Sequence, residues 1–543
     1  MGLFFRNQER SRWVFLYSRK KFSKPCDIPM PEPLDMYLRE TYTDVFHACC
    51  RSLHLSERYK PPAAIRWARQ YLQNSPLAVV PTDKDGGHAI LTREALFTAK
   101  RTILAKPEYR QSRSYSSFPR DLIEEYAFHV RRICGELEDD ELRTALLSDT
   151  HHQRLKDICA VLQVTLKTHK PDGEVTFRAI HGSPSSPFKP VARLISCWLR
   201  PVLSNLPHLL RDTRSMITAL SNTQFTGEVT FIKADIKDFF MSGEHAALEE
   251  LSSTCVSAHI RRQYKRLVRF VLESQYVILD GRAVDDIIYQ VTCGTGMGIG
   301  CSGDISNAAF FAMAERSWAV DPRIQASHGV CGYFRYMDDL LIVVNGTSLQ
   351  RQKFLRGLRE RARFFRIQVE SITSESVDYL DLRIYKGTRF HKTGYLDHEV
   401  FVKPTSVWQP LRRSSFHPAS VHDAWPAMMV QRYMRLCTDQ HWAKTLIREF
   451  VRKMEAYGNP MNHIKIVKPC SQFEPPSPGS EFQRSRQCRL ILPYHPVWRK
   501  AGILGIITSL YSKWCSVMSE DVPLPGIAWS LGNKHLMHDL RTL

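Results

Sequence analysis

Apolar positions along this chain follow two rhythms. Between about residues 161 and 405, short runs of strand character (Gly227–Lys233, Leu340–Val344, Tyr379–Tyr385) alternate with longer stretches at helical spacing. Leu77–Leu91 reads as strand, turn and strand around Thr82-Asp83-Lys84-Asp85-Gly86-Gly87. Leu122–Leu137, Asp140–Leu147 and the region from about 420 to 460 carry helical patterns. Residues 1 to about 75 read as helical and basic, interrupted by Pro31, Pro33, Pro61 and Pro62. Pro469–Arg489, with Pro475, Pro476 and Pro478, reads as a polar linker, and residues 490–543 as a short α/β piece. Strands interleaved with helices in the middle and helices at both ends predict an α+β core flanked by helical domains.

Composition narrows the class. At about 150 residues per domain, 543 residues suggest three or four domains. Hydrophobic residues make up 43% and charged ones 24%, which excludes collagen-like and wholly disordered chains. Lys and Arg number 75 against 55 Asp and Glu, a net charge of +20. That excess points to a polyanionic partner, nucleic acid before an anionic membrane. The 14 cysteines never form Cys-x-x-Cys, and only Cys49-Cys50 is a tight pair, so zinc-finger spacing is missing and reduced core thiols are expected. Met1–Cys26 is basic, with Glu9 its only acid, and lacks the apolar core of a secretory signal; it reads as a transit peptide or a nucleic-acid-binding arm. Ala501–Leu510 is too short to span a bilayer. A soluble intracellular protein is expected.

The strongest chemical signal is Phe334-Arg335-Tyr336-Met337-Asp338-Asp339 followed by Leu340–Val344. Apolar runs on both sides of two adjacent acids predict a β-hairpin whose turn displays them. Alone, such a pair is more often a solvated turn. A second acid at a strand end, Asp235 in Phe231-Ile232-Lys233-Ala234-Asp235-Ile236-Lys237-Asp238-Phe239-Phe240, changes the reading. Two-metal phosphoryl transfer needs carboxylates from separate strands around ions roughly 3.5–4 Å apart. Asp235 and Asp338 have that context, with Asp339 as an auxiliary acid. Between them, Gln290–Gly303 is a glycine loop (Gly294, Gly296, Gly298, Gly300) leading into a helical stretch, Asp304–Trp318. Small residues there let backbone approach a nucleotide or base pair closely. The even glycine spacing lacks the strand–helix context of a dinucleotide-binding fingerprint. Basic runs at Arg261–Arg266, Arg359–Arg363 and Arg412-Arg413 read as the wall of a duplex channel.

Taken in order, the Asp235 segment, the Gly294–Ser302 loop and Tyr336-Met337-Asp338-Asp339 resemble motifs A, B and C of a reverse transcriptase palm. Further segments resemble the Penelope-like element branch, related to telomerase. Leu166-Lys167-Thr168-His169-Lys170-Pro171 with Arg178-Ala179-Ile180 and Ser183 is similar to its fingers motif, and Asp83-Lys84-Asp85-Gly86-Gly87 to its upstream element. Tyr379-Leu380-Asp381-Leu382, Lys403-Pro404-Thr405 and Ser415-Phe416-His417-Pro418 are similar to the run that follows motif C. The resemblance covers roughly residues 80–420. It departs from the family at Ser302-Gly303, where Ser-Pro is usual, at Ser306, where a small Ala is expected, and at Thr373 and Glu375, where many polymerases carry a lysine. The sequence contains no Gly-Ile-Tyr/Tyr-Ile-Gly nuclease pattern.

The resemblance implies a right-hand polymerase of fingers, palm and thumb, with an antiparallel-sheet palm flanked by helices. It implies a basic N-terminal extension over 1–75, fingers and palm over 76–420, and a helical thumb and C-terminal region over 421–543. It implies RNA-directed DNA synthesis from a DNA primer and dNTPs on an RNA template, without a membrane, in the nucleus. Two Mg²⁺ ions, or Mn²⁺ in their place, would be held by Asp235, Ile236, Asp338 and Asp339. Nucleotide contacts would come from Lys167, Arg178, Asp238, Phe239, Phe240, Gln290 and Gly298. Nucleic-acid contacts would come from Lys84, Met297, Tyr336, Met337 and Lys403. Phe240, five residues after Asp235, resembles the bulky residue that excludes a 2′-hydroxyl; the plain alternative is core packing. Tyr333 and Phe334 are expected in the core. His151-His152 has no partner at metal-ligand spacing. A telomerase-like or domesticated enzyme and a catalytically silent nucleic-acid-binding scaffold stand as alternatives.

Overall fold

A computed structural model describes residues 63–83, 87–114, 124, 127–129, 131–132, 134–135, 159–167, 175–182, 188–279, 287–296, 298–402, 410–411, 419–457, 489–493, 509 and 526–530. Lys84, His151, His152, Met297, Lys403, Arg412, Arg413 and His417 lie outside them, as do all of Asp140–Leu147 and the N-terminal arm Met1–Cys26. Two compact units divide the chain: one of residues 79–410 and 428–461, the other of residues 1–78, 411–427 and 462–543. The described residues mix helix and sheet, as the α+β pattern predicts. No helix among them is long and apolar enough to cross a membrane.

In chain order the strands are β1 (Leu77–Pro81), β2 (His88–Thr92), β3 (Tyr109–Ser114), β4 (Ala160–Lys167), β5 (Thr176–Gly182), β6 (Thr230–Lys237), β7 (Tyr276–Ile278), β8 (Ile287–Val291), β9 (Val330–Tyr336), β10 (Asp339–Val344), β11 (Arg366–Thr373), β12 (Ser376–Tyr379), β13 (Leu382–Tyr385), β14 (Asp397–Val400), β15 (Arg489–Pro493) and β16 (Gly526–Ser530). The larger unit carries a four-stranded sheet in the order β11-β6-β10-β9, all antiparallel. A five-stranded sheet runs β3-β8-β7-β4-β5, and β12-β13-β14 form a third. The smaller unit contains helix Ala63–Asn74 and the parallel pair β15-β16.

The four-stranded sheet positions the acids because both of its faces are apolar except at one end. Ile232, Ala234 and Ile236 of β6, with Leu340, Ile342 and Val344 of β10, enter one core alongside helices Lys189–Ser204, Arg261–Glu273 and Ser302–Phe310. On the opposite face Phe231, Leu341 and Val343 enter a second core with Val377, Tyr379, Leu382 and Ile384 of β12 and β13. Strand side chains alternate between faces, so a one-residue slip would drive Asp235 into the first core. The register is thereby set by burial, and the second face changes from Phe231 to the polar series Lys233, Asp235 and Lys237 as β6 ends.

Local chemistry supports the neighbouring helices. Helix Ser348–Ala362, behind β10, begins with a capping box in which Thr347 and Gln350 exchange bonds. Helix Pro322–His328, before β9, starts on Asp321 and a first-turn proline and ends on Gly329 at φ 64°. The stretch Asp304–Trp318, read as one helix, is an α-helix over Ser302–Phe310 that continues as a π-helix over Phe311–Ala319. The run Tyr379–Tyr385, read as one strand, is a hairpin of β12 and β13 because Leu380 takes a left-handed backbone at φ 55°.

Candidate active site

Antiparallel pairing makes Asp339 of β10 the direct cross-strand partner of Asp235 of β6. The Ile236 amide donates to the Asp338 carbonyl at 2.9 Å, so the pairing reaches into the turn. That turn is a two-residue hairpin, Met337-Asp338, between the paired residues Tyr336 and Asp339. Met337 has φ 54°, a left-handed conformation that glycine would adopt freely and an L-residue resists. Asp238, three residues past Asp235, is also left-handed at φ 51°. Strained non-glycine backbone therefore flanks the acids on both strands.

Electrostatics reflect this convergence. Burial, then the Asp338 charge, with Asp235 and Glu370 adding to it, pushes the Asp339 carboxyl up to about 6; Lys233 pulls the other way. Lys237 Nζ lies 2.7 Å from Asp235 Oδ2, and Lys233 pairs with Glu370 at 3.1 Å. Burial would lower the Lys237 ammonium, but Asp235, with Glu370 and Asp238 behind it, holds it above the usual lysine value. Among the described residues no group of three or more His, Cys, Asp or Glu side chains forms a ready metal cage. The donor set is nonetheless oxygen-only, suited to Mg²⁺ or Mn²⁺, and the mutual repulsion recorded at Asp339 is what a divalent cation would relieve.

Beside the acids opens a cavity of about 410 Å³, lined by Phe240, Met337, Gly298, Ser302, Arg200 and Asp304 among others. The glycine loop forms its wall through close approaches that admit no side chain. A Cβ on Gly298, at φ 145°, would sit 1.9 Å from the His181 carbonyl oxygen, and one on Gly294 would meet the Met241 backbone at 2.4 Å. Ser302, the matching half of the Ser302-Gly303 pair, and Ser306, which stands where an Ala is expected, pin this loop. Ser302 Oγ donates to the Thr295 carbonyl at 2.8 Å, and Ser306 Oγ shares a hydrogen bond with Thr295 Oγ1 at 2.9 Å.

The structure thus brings Asp235, Asp338, Asp339, Tyr336, Met337, Phe240 and Gly298 to one end of the sheet and its adjoining cavity. Ile236 has its side chain in the core and only its backbone at the centre. Asp238 is exposed and lies 3.7 Å from Arg366. The Phe239 ring packs on Phe310 and Phe365 at 2% exposure, so its side chain belongs to the core and only its backbone remains for a nucleotide. The adjacent Phe240, in the same 3₁₀ turn, packs partly against that core and also lines the cavity. Gln290 is likewise engaged elsewhere; its amide accepts from Arg110 at 2.7 Å and donates to the Glu273 carbonyl at 2.7 Å. Lys167 ends β4. Arg178 on β5 is partly exposed and pairs at 3.1 Å with buried Asp83, a partner not foreseen. Tyr333 and Phe334 are in the core as expected.

Two cations of each of two basic runs bond within the scaffold. Arg261 donates to the Ser253 and Val256 carbonyls, and Lys265 pairs with Glu250. Arg361 stacks on Trp318 at 3.9 Å, and Arg359 donates to the Ile367 carbonyl. Also unforeseen was a buried network behind the turn, in which Arg335 is bound to Glu315 and Asn307. An arginine inside one apolar run and a glutamate at the end of another were its signal, since charges are buried only with partners.

No family model matches the chain, and no curated protein matches it. Among solved structures it is similar to telomerase from Candida albicans in complex with the TWJ fragment of telomeric RNA. That likeness has 12% identity over 82% of this chain and 72% of the other, with a TM-score of 0.46. Apo telomerase from Candida tropicalis is similar at 10% identity over 65% of this chain, with a TM-score of 0.41; the chain spans 59% of that protein's length. The RNA-dependent RNA polymerase of a human picobirnavirus gives 11% identity over 78% of this chain and 88% of that one, with a TM-score of 0.34. These likenesses are distant, and the chemistry of the centre rests on its own geometry.

Proposed function

We propose that this protein is an RNA-directed DNA polymerase of the Penelope-like type, extending a DNA primer with dNTPs on an RNA template. The observation that carries the reading is the cross-strand pairing of Asp235 with Asp339, with Asp338 next to Asp339 in the turn and the glycine loop contributing to the cavity that Met337 lines. In this reading the four-stranded sheet is the palm, the segment 76–420 holds fingers and palm, and 421–543 the thumb. Divalent cations, Mg²⁺ or Mn²⁺, would supply activation of the 3′-hydroxyl and neutralisation of charge on the transferring phosphate. Asp235 and Asp338 would hold them, with Asp339 and the Ile236 backbone as auxiliaries. Lys237 would leave Asp235 as the cations enter.

The chain's own groups supply orientation. Phe240 and Met337 border the cavity; in this reading the Phe240 ring would lie beside the sugar and crowd a 2′-hydroxyl. The glycine loop offers backbone to the base pair at close range. Arg178, held by Asp83, presents donors suited to phosphate oxygens. Nuclear residence follows from the same reading.

Oligonucleotide-primed RNA, incubated with Mg²⁺ and either dNTPs or NTPs, tests this. The wild-type chain should extend the primer with dNTPs, and Asp338→Asn should lower extension by orders of magnitude while template binding persists. Equal extension by Asp338→Asn would refute the assignment. Binding without extension would identify a silent scaffold, and extension restricted to repeated chromosome-end sequence a telomerase-like enzyme.

A further inference from the structure

We propose that Arg335 is a positioning residue for the carboxylate turn, acting through the Met337 backbone. This rests on the reading that Asp235, Asp338 and Asp339 bind divalent cations. Arg335, fully buried on β9, donates from Nε and Nη2 to the two oxygens of equally buried Glu315 at 2.7 and 2.8 Å. Its Nη1 leaves that pair and donates both to Asn307 Oδ1 at 2.5 Å and to the Met337 carbonyl at 3.0 Å. Asn307 in turn approaches the Met337 sulfur, with Nδ2 to Sδ at 3.6 Å. Two buried groups from different elements therefore hold the one residue whose left-handed backbone shapes the turn.

Stability alone gives little reason for such an arrangement, because apolar residues of similar volume commonly replace a buried ion pair at no cost. The geometry supplies another reason. An L-residue at φ 54° relaxes toward negative φ unless it is held, and relaxation here would swing Asp338 away from Asp235. Asn307 lies on helix Ser302–Phe310, which follows the glycine loop, and Glu315 lies on the π-helix after it. π-Helical turns recur where side chains must be placed at functional sites. The clamp thus ties the acid-bearing turn to the wall of the cavity through three side chains, none of them at the cation site.

The test uses the full chain with Arg335→Met/Glu315→Gln, which removes both charges with little change in volume and leaves Tyr333 an acceptor. Arg335→Lys runs in parallel; it keeps the charge balance but has one donor head, unable to span Glu315 and Met337. Mn²⁺ affinity by electron paramagnetic resonance and kcat and KM in primer extension are measured for each. Both variants should melt near the wild type, bind Mn²⁺ about 5- to 30-fold more weakly, the cost of one unrestrained left-handed residue, and lose kcat with little change in dNTP KM. Adding Met337→Gly should restore Mn²⁺ binding, because glycine adopts this backbone unaided. Wild-type Mn²⁺ affinity in both variants, or no recovery with Met337→Gly, overturns the clamp. Should the double variant not fold, Arg335→Lys decides alone. A wild-type chain that binds no Mn²⁺ overturns the cation reading itself and the clamp with it, an outcome visible before any variant is compared.

Discussion

Asp339→Asn should stabilise the metal-free protein while impairing its cation site. Burial and the neighbouring carboxylates raise the Asp339 carboxyl from 3.8 to about 6. At about 1.4 kcal/mol per pKa unit, that rise corresponds to at most about 3 kcal/mol of folding free energy lost at neutral pH. Asparagine has nearly the same shape and no charge, so it recovers part of this. A carboxyl raised in the folded state favours folding below its unfolded value and loses that contribution as pH climbs through about 6. The difference between variant and wild type should therefore be largest above pH 6 and vanish near pH 4. The groups facing Asp339 are Asp338, Asp235 and Glu370, which raise it, and Lys233, which lowers it. Urea denaturation in EDTA at pH 4, 5, 6 and 7.5 measures the effect, and Mn²⁺ should reverse it by stabilising the wild type more. A variant less stable than the wild type above pH 6, or a difference that does not depend on pH, would refute the crowding of carboxylates.

Three further substitutions probe the surroundings. Lys237→Met removes the ammonium at 2.7 Å from Asp235 and should lower stability in EDTA but tighten Mn²⁺ binding, read by thermal melts and calorimetry; unchanged Mn²⁺ affinity would count against displacement of the lysine. Gly298→Ala sets a Cβ against the His181 carbonyl in a backbone alanine resists, so primer extension should be lost even if circular dichroism shows a folded chain. Leu340→Ala empties a fully buried site between β6 and β9 and should cost about 2–5 kcal/mol in chemical denaturation.

The convergence of acids was legible because it follows from alternation. Apolar residues fill both faces of β6 and β10, and the acids stand where one face ends, so strand pairing alone brings them together. The five-stranded sheet was not legible. Its central strand β7 has three residues; β8 follows it closely, but its other neighbour β4, and β3 beyond β8, come from distant segments whose pairing no local pattern specifies. Phe239 and Phe240 show the same limit at smaller scale: adjacent rings in a 3₁₀ turn give no period from which to tell core from cavity. Charged runs hid their partners for a related reason: nothing local announces that the Ser253 and Val256 carbonyls accept from Arg261 or that Glu250 pairs with Lys265. Arg335 and Glu315 offered a usable signal, a charge in each of two apolar runs, that calls for a buried partner.

Anomalous diffraction from Mn²⁺-soaked crystals holding primer, template and an unreactive dNTP would address the shared cation site directly. Density peaks between the carboxylates of Asp235 and Asp338, absent from Asp338→Asn crystals, are expected. Mn²⁺ found only elsewhere, with Asp235 still paired to Lys237, would contradict the assignment of these acids to phosphoryl transfer.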